Sequence, residues 1–258
     1  MAHSTPYTIF FAGAVSVVCG VLVASAAVVL KPRQDANKLL DQRKQVISVA
    51  GLACSKTAAD PKAINSCFED NIREVIIDLK AGTKVDTEHA ATFSMQQAMK
   101  DPEMSSEAPP NAAKVLRLPK HAKIYQVVDG DAVKTLILPI QGYGLWSVLY
   151  GFLALDADGN TIKGITFYQH GETPGLGGEV DNPRWKAHWP GRNAYDDQWK
   201  PAIKVIKGSA GPPEEDPYSV DGLSGATITS NGVTNLVQYW LSDDGFGPYL
   251  SKFREGKS

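Results

Sequence analysis

The residues best suited to chemistry sit in 221–230, Asp-Gly-Leu-Ser-Gly-Ala-Thr-Ile-Thr-Ser, directly before an apolar helical pattern. Four hydroxyls, Ser224, Thr227, Thr229 and Ser230, crowd the point where a helix should begin. A helix N-terminus leaves four N–H groups unpaired and carries about half a positive charge. Small residues ahead of it let backbone amides reach an anion, so the segment suits a phosphate group. Plain N-capping by Thr229 or Ser230 is the competing reading. Two more segments share this texture: Gln141-Gly142-Tyr143-Gly144-Leu145-Trp146, and 170–178, His-Gly-Glu-Thr-Pro-Gly-Leu-Gly-Gly. Nine glycines fall between Gly142 and Gly178, where a backbone turns tightly or approaches a ligand closely. The 170–178 run is not a dinucleotide fingerprint, because Val180 stands at the third glycine position and no βαβ unit surrounds it. A simple Gly/Pro hairpin loop also fits it.

The elements that position these segments follow from periodicity. Val233, Leu236, Val237, Trp240 and Leu241 share one helical face, and Gly245 marks the stop. Runs rich in β-branched residues at 115–118, 122–128, 133–140, 147–156 and 161–169 read as strands, with turns at 129–131 and 158–160. Residues 203–206 are strand-like and 208–217 form a loop. Before the strands, 35–50, the stretch after Pro61 and 87–100 read as helices, and 104–111 as a Pro/Ser-rich connector. The fold class is α+β, a mainly antiparallel sheet flanked by helices.

Residues 7–30 carry no charge; 19 of the 24 are apolar and the rest are Thr8, Gly13, Ser16, Gly20 and Ser25. At about 1.5 Å per residue they reach roughly 36 Å, enough to cross a hydrocarbon core of about 30 Å. A signal peptide is the rival reading, but the first six residues lack the usual basic region. The expected division is a tail at 1–6, a transmembrane helix at 7–30, a helical or mixed region at 31–113 packing on the core, and a core domain at 114–258. Lys31, Arg33, Lys38, Arg43 and Lys44 follow the anchor. Positive-inside counting alone puts the C-terminal domain in the cytoplasm, though long domains escape that rule.

The chain has 26 Lys plus Arg against 28 Asp plus Glu, net −2, which argues against a nucleic-acid surface. Cys54 and Cys67 form either a disulfide or two separate buried thiols, and no metal or haem spacing accompanies them.

Taken together, the three segments resemble the FMN-binding domain family. Asp221, Ser224-Gly225-Ala226-Thr227 and Thr229 match its flavinylation motif D-x-x-[ST]-G-A-[ST]-x-[ST]. Within it, the chain is similar to the C subunits of sodium-translocating NADH:quinone oxidoreductases. The resemblance implies FMN joined covalently, by a phosphoester, to Thr227. Ser224, Gly225 and Ala226 would surround the phosphate. Glu172, Thr173, Gly175 and Leu176 would line the flavin, with Trp146 nearby. Lys207, either a counter-charge to the phosphate or a solvated surface lysine, is a weaker candidate, and His170 reads as a loop hydrogen-bonder. The resemblance also implies a separate flavin transferase using FAD and magnesium, and partners among the B, D, E and F subunits of a six-subunit inner-membrane complex. The soluble domain would be periplasmic and relay electrons, with no catalytic residue of its own. The flavin subunit of an Rnf-type ferredoxin:NAD oxidoreductase, or a tethered FMN-binding sensor or assembly module, are the alternatives.

Overall fold

The computed structural model describes residues 4–56, 60–86, 90 and 92–256. The chain divides into two compact units, Met1–Gln42 and Arg43–Ser258. The described part of the first is helical. Helix α1 runs Thr5–Val49, so no break separates the expected anchor at 7–30 from the expected helix at 35–50. The tail expected at 1–6 is shorter, since Thr5 and Pro6 are already helical; residues 1–3 lie outside the described part. Pro32 removes one backbone hydrogen bond. The residues after it are mostly strong helix formers, and Lys31 pairs with Asp35 one turn on at 3.0 Å. Among the described residues α1 is the one helix long and apolar enough to cross a membrane.

The second unit is built on a six-stranded antiparallel sheet. Its strands are β1 (Ile72–Asp78), β2 (Thr83–Lys84), β5 (His121–Asp129), β6 (Ala132–Tyr143), β7 (Val148–Asp156) and β8 (Ile162–Gln169). They lie side by side in the order β2-β1-β5-β6-β7-β8. The expected strands from 122 onward are therefore present, each within a few residues. Two strands arrive from the 31–113 region, so the boundary expected at 113/114 does not separate that region from the sheet. β1 escapes sequence reading because Ile72, Ile76 and Ile77 do not alternate with polar residues.

Both sheet faces are covered. Leu136, Leu138 and Ile140 of β6 pack into one core with Val233, Leu236 and Val237 of helix α5 (Thr227–Leu241). On β6, β7 and β5 the intervening Ile137, Phe152 and Tyr125 are also buried. Tyr125 packs edge-on to Phe68 of helix α2 (Pro61–Asn71), and Thr166 donates to Gln45 at 2.9 Å. Burial on both faces explains why these strands read as continuous apolar runs. Cys54 and Cys67, 13 residues apart, form a disulfide linking α2 to the turn that precedes it.

Several short elements differ from expectation. The helix expected at 87–100 is only α3 (Met95–Lys100), capped by Ser94; residues 87–89 and 91 lie outside the described part. The 104–111 connector contains strand β3 (Ser105–Glu107), paired with β4 (Arg117–Pro119). Helix α4 (Pro183–Lys186) follows β8, and β9 (Lys204–Val205) pairs in parallel with β10 (Ser219–Val220). α5 stops at Leu241, four residues before Gly245, and a short helix not expected from the sequence, α6 (Gly247–Arg254), follows.

Candidate functional site

Helix α5 begins at Thr227, and its N-cap is Ala226, which offers no side-chain oxygen. The capping expected of Thr229 or Ser230 does not occur, because both are buried and used elsewhere. Thr229 Oγ1 donates to Glu172 Oε2 at 2.8 Å. Ser230 Oγ accepts from the Leu223 N–H at 3.1 Å. Ser224, Gly225 and Thr227 are left exposed. Gly225 has φ +70°, a left-handed conformation in which a side chain is strained, and an added Cβ would lie 3.0 Å from Leu176 Cδ2.

The exposed residues line a cleft of about 440 Å³ whose other wall includes Ile206, Lys207 and Gly208. The two walls approach closely at Gly222, where a Cβ would meet the Ile206 carbonyl at 2.3 Å. Asp221 holds the rim by accepting the Ala210 N–H at 2.9 Å, while its carbonyl accepts Trp185 Nε1 at 2.8 Å. Buried Arg192 braces the 208–217 loop by donating to the carbonyls of Gly211 and Asp216. No sequence signal marks Arg192, since an isolated arginine has no spacing to read. Lys207 is exposed in this cleft and has no ion-pair partner among the described residues. The cleft thus joins a helix end without a side-chain cap, two exposed hydroxyls and a lysine, a combination suited to a phosphoryl group.

Beside it stand the β6–β7 turn and the 170–178 loop. Gly142 and Gly232 let α5 lie directly against β6: a Cβ on Gly232 would sit 2.5 Å from the Tyr143 carbonyl, and one on Gly142 2.5 Å from Leu236 Cβ. Glu172 is buried, with only 5% of it exposed. Its carboxylate accepts the backbone N–H groups of Leu145, Trp146 and Ser147 at 3.0–3.2 Å. Burial pushes its carboxyl up, but the hydrogen bonds from Thr229 and from these three amides prevail and hold it below the ordinary value.

The loop's remaining candidates differ. Thr173, Gly175 and Leu176 are exposed, and the Thr173 carbonyl accepts the N–H groups of Leu176 and Gly178. His170 bonds Asp181 at 2.7 Å and accepts the Glu172 N–H, consistent with a loop role. Trp146 is 69% exposed and bound to Glu172 only through its backbone. The sequence-marked residues therefore form two groups. Ser224, Gly225, Thr227 and Lys207 share the cleft, with Ala226 buried under it. Trp146 and Leu176 are large apolar side chains exposed on the turn and the loop, joined at the helix start by exposed Ile228, which the sequence did not single out.

Comparison with known proteins converges on one family. The FMN-binding domain family matches residues 144–242, spanning both groups. The C subunit of the Na(+)-translocating NADH-quinone reductase of Pseudomonas aeruginosa is 45% identical, covering 99% of this chain and 98% of its own length. The protein of the same name from Yersinia pestis is 46% identical over 93% of this chain and 89% of its own. The crystal structure of Shewanella oneidensis NqrC superposes with TM-score 0.79 at 30% identity, covering 85% of this chain and 99% of that one.

Proposed function

The chain belongs to the family of the C subunits of Na(+)-translocating NADH-quinone reductases, and on that premise we propose that it carries FMN as a phosphoester on Thr227 and relays electrons within that sodium-pumping complex. The observation that carries this reading is Thr227 itself. It is an exposed hydroxyl on the first residue of a helix whose N-terminus has no side-chain cap. A phosphodiester there keeps one negative charge beside the helix N-terminus. Lys207 across the cleft adds a positive one. The cleft volume lies in the usual range for a small-ligand site. Exposed Trp146, Leu176 and Ile228 suit the apolar faces of an isoalloxazine ring.

Attachment transfers the FMN phosphoryl group of FAD to Thr227. A phosphorus–oxygen bond to Oγ forms as the bond to AMP breaks, the hydroxyl proton is lost, and AMP leaves. A threonine hydroxyl needs activation, and among the described residues no side-chain base bonds to Thr227. A separate flavin transferase with magnesium therefore supplies the chemistry. When bound, the flavin accepts and passes on electrons; the protein holds, orients and shields it.

Helix α1 anchors the chain in the bacterial inner membrane, with the soluble unit in the periplasm beside other members of the complex. The Cys54–Cys67 disulfide supports that side, since such bonds persist in oxidising compartments. Intact mass spectrometry of the chain from its native membrane tests the central claim. The expected result is a gain of one FMN less one water, located on the Thr227 peptide and absent in Thr227→Ala. An unmodified Thr227 would refute it. Protease added to spheroplasts is expected to remove the soluble unit; full protection would reverse the orientation.

A further inference from the structure

Glu172 is the most densely bonded side chain near the site. Oε1 accepts the Trp146 N–H at 3.0 Å, the Ser147 N–H at 3.0 Å and Ser147 Oγ at 3.3 Å. Oε2 accepts the Leu145 N–H at 3.2 Å and Thr229 Oγ1 at 2.8 Å. Among the described residues no lysine, arginine or histidine pairs with it, so hydrogen-bond dipoles alone offset the burial of its charge. Both oxygens meet donors, so only an acceptor-only group fits; glutamine would turn an NH2 toward one set of donors. The backbone is cut back around the carboxylate. A Cβ on Gly144 would lie 2.7 Å from Oε1, and one on Gly177 would lie 2.7 Å from Oε2 and 2.6 Å from Thr229 Oγ1.

These bonds join two elements that the sequence keeps far apart. One is the turn carrying Trp146; the other is the first turn of α5, where Thr229 stands two residues after Thr227. We propose that Glu172 is a positioning residue: through Thr229 it fixes the helix turn that presents the Thr227 hydroxyl, and through the 145–147 amides it fixes the turn that presents Trp146. The attachment point and the ring wall are thereby set as one rigid piece before any flavin arrives. The effect on attachment rests on the covalent-FMN reading; the clamp itself does not.

The test uses the full chain, first free of flavin. In Glu172→Gln, amide hydrogen exchange at Leu145, Trp146 and Ser147 is expected to quicken about tenfold or more, as buried donors lose their acceptor. With FAD and the transferase added, Glu172→Gln and Thr229→Val are both expected to slow attachment to Thr227. The double variant is expected to be no slower than Glu172→Gln alone, because the two residues act as a unit. Glu172→Asp keeps the charge but shortens the reach by one methylene, and is expected to behave like Glu172→Gln. Thr229→Val keeps the test decisive if Glu172→Gln does not fold. Unchanged turn amides, a silent Thr229→Val, or full rescue by Glu172→Asp would each overturn the proposal. Wild-type protein that takes no FMN on Thr227, while the turn amides respond as described, would sink the covalent reading and leave the clamp standing.

Discussion

Helices α2 and α5 begin in opposite ways. At α2, Asp60 occupies the cap position and accepts the Ala63 N–H at 2.8 Å, with Pro61 next in the chain. The shorter α3 and α4 are capped in the same manner by Ser94 and Asn182. At α5 the cap is Ala226, although Asp221, Ser224, Thr227, Thr229 and Ser230 all lie within a few residues. Capping side chains are present but committed elsewhere: Asp221 to Ala210, Thr229 to Glu172, Ser230 to Leu223. Since a cap stabilises a helix by about 1 kcal/mol, leaving one out of the longest helix in the soluble unit needs a reason. On the proposed function, a phosphoryl group on Thr227 would take the cap's place. α2 is fastened by its cap and its disulfide; on the same proposal, α5 is left open for a ligand.

The strongest way to break this contrast is at Thr227. Thr227→Ala is expected to abolish covalent flavin, read by in-gel fluorescence, whereas Thr227→Ser retains it; retained flavin in Thr227→Ala would remove the ligand from the comparison. Next comes the fastening of α2. Opening the Cys54–Cys67 loop with Cys54→Ser is expected to lower stability by about 3 kcal/mol in urea unfolding, with flavin content unchanged.

Exchanging the caps gives smaller effects of opposite sign. Ala226→Ser supplies the missing cap, and is expected to stabilise flavin-free protein by about 0.5–1 kcal/mol while slowing attachment by about fivefold. Asp60→Ala is expected to cost about 1 kcal/mol and leave attachment alone. Should Ala226→Ser leave attachment untouched, the open helix end would lose its meaning.

The mildest test is pH. The Glu172 carboxyl is held below its ordinary 4.5, so the folded form favours the ionised group. That stability is present above 4.5 and is lost as pH falls through the lower folded value. The gap in unfolding free energy between wild type and Glu172→Gln is therefore expected to be widest near neutrality and to narrow below pH 4.5. A gap that stays constant would mean the charge contributes nothing.

Much of the architecture was legible locally. Strands β5 to β8 and helix α5 announced themselves through runs of apolar residues and a clean helical stripe. β1 did not, because its isoleucines do not alternate with polar residues, and α6 did not, because it is only eight residues long and opens on Gly247-Pro248. The expected anchor ends at Leu30 because charge begins at Lys31, yet the helix runs on through Pro32 to Val49, carried by the strong helix formers after it. At the site, Thr227, Ser224 and Gly225 of the motif line one cleft with Lys207. The capping expected of Thr229 or Ser230 does not form, because their hydroxyls bond Glu172, 57 residues away, and Leu223, 7 residues away.

By itself the sequence determined the composition of the parts: one uncharged run long enough for a bilayer, an antiparallel α+β domain, and a hydroxyl- and glycine-rich entry to a helix. Those are properties of consecutive residues, and short-range sterics and hydrophobic periodicity suffice to read them. Which hydroxyl stays free was decided only by the tertiary structure. Thr227 and Thr229 are the same residue type two positions apart, yet α5 turns one outward into the cleft and buries the other against Glu172. About 100° of helical rotation per residue places them on different faces, and only the packing of α5 against the β6–β7 turn fixes which face is covered.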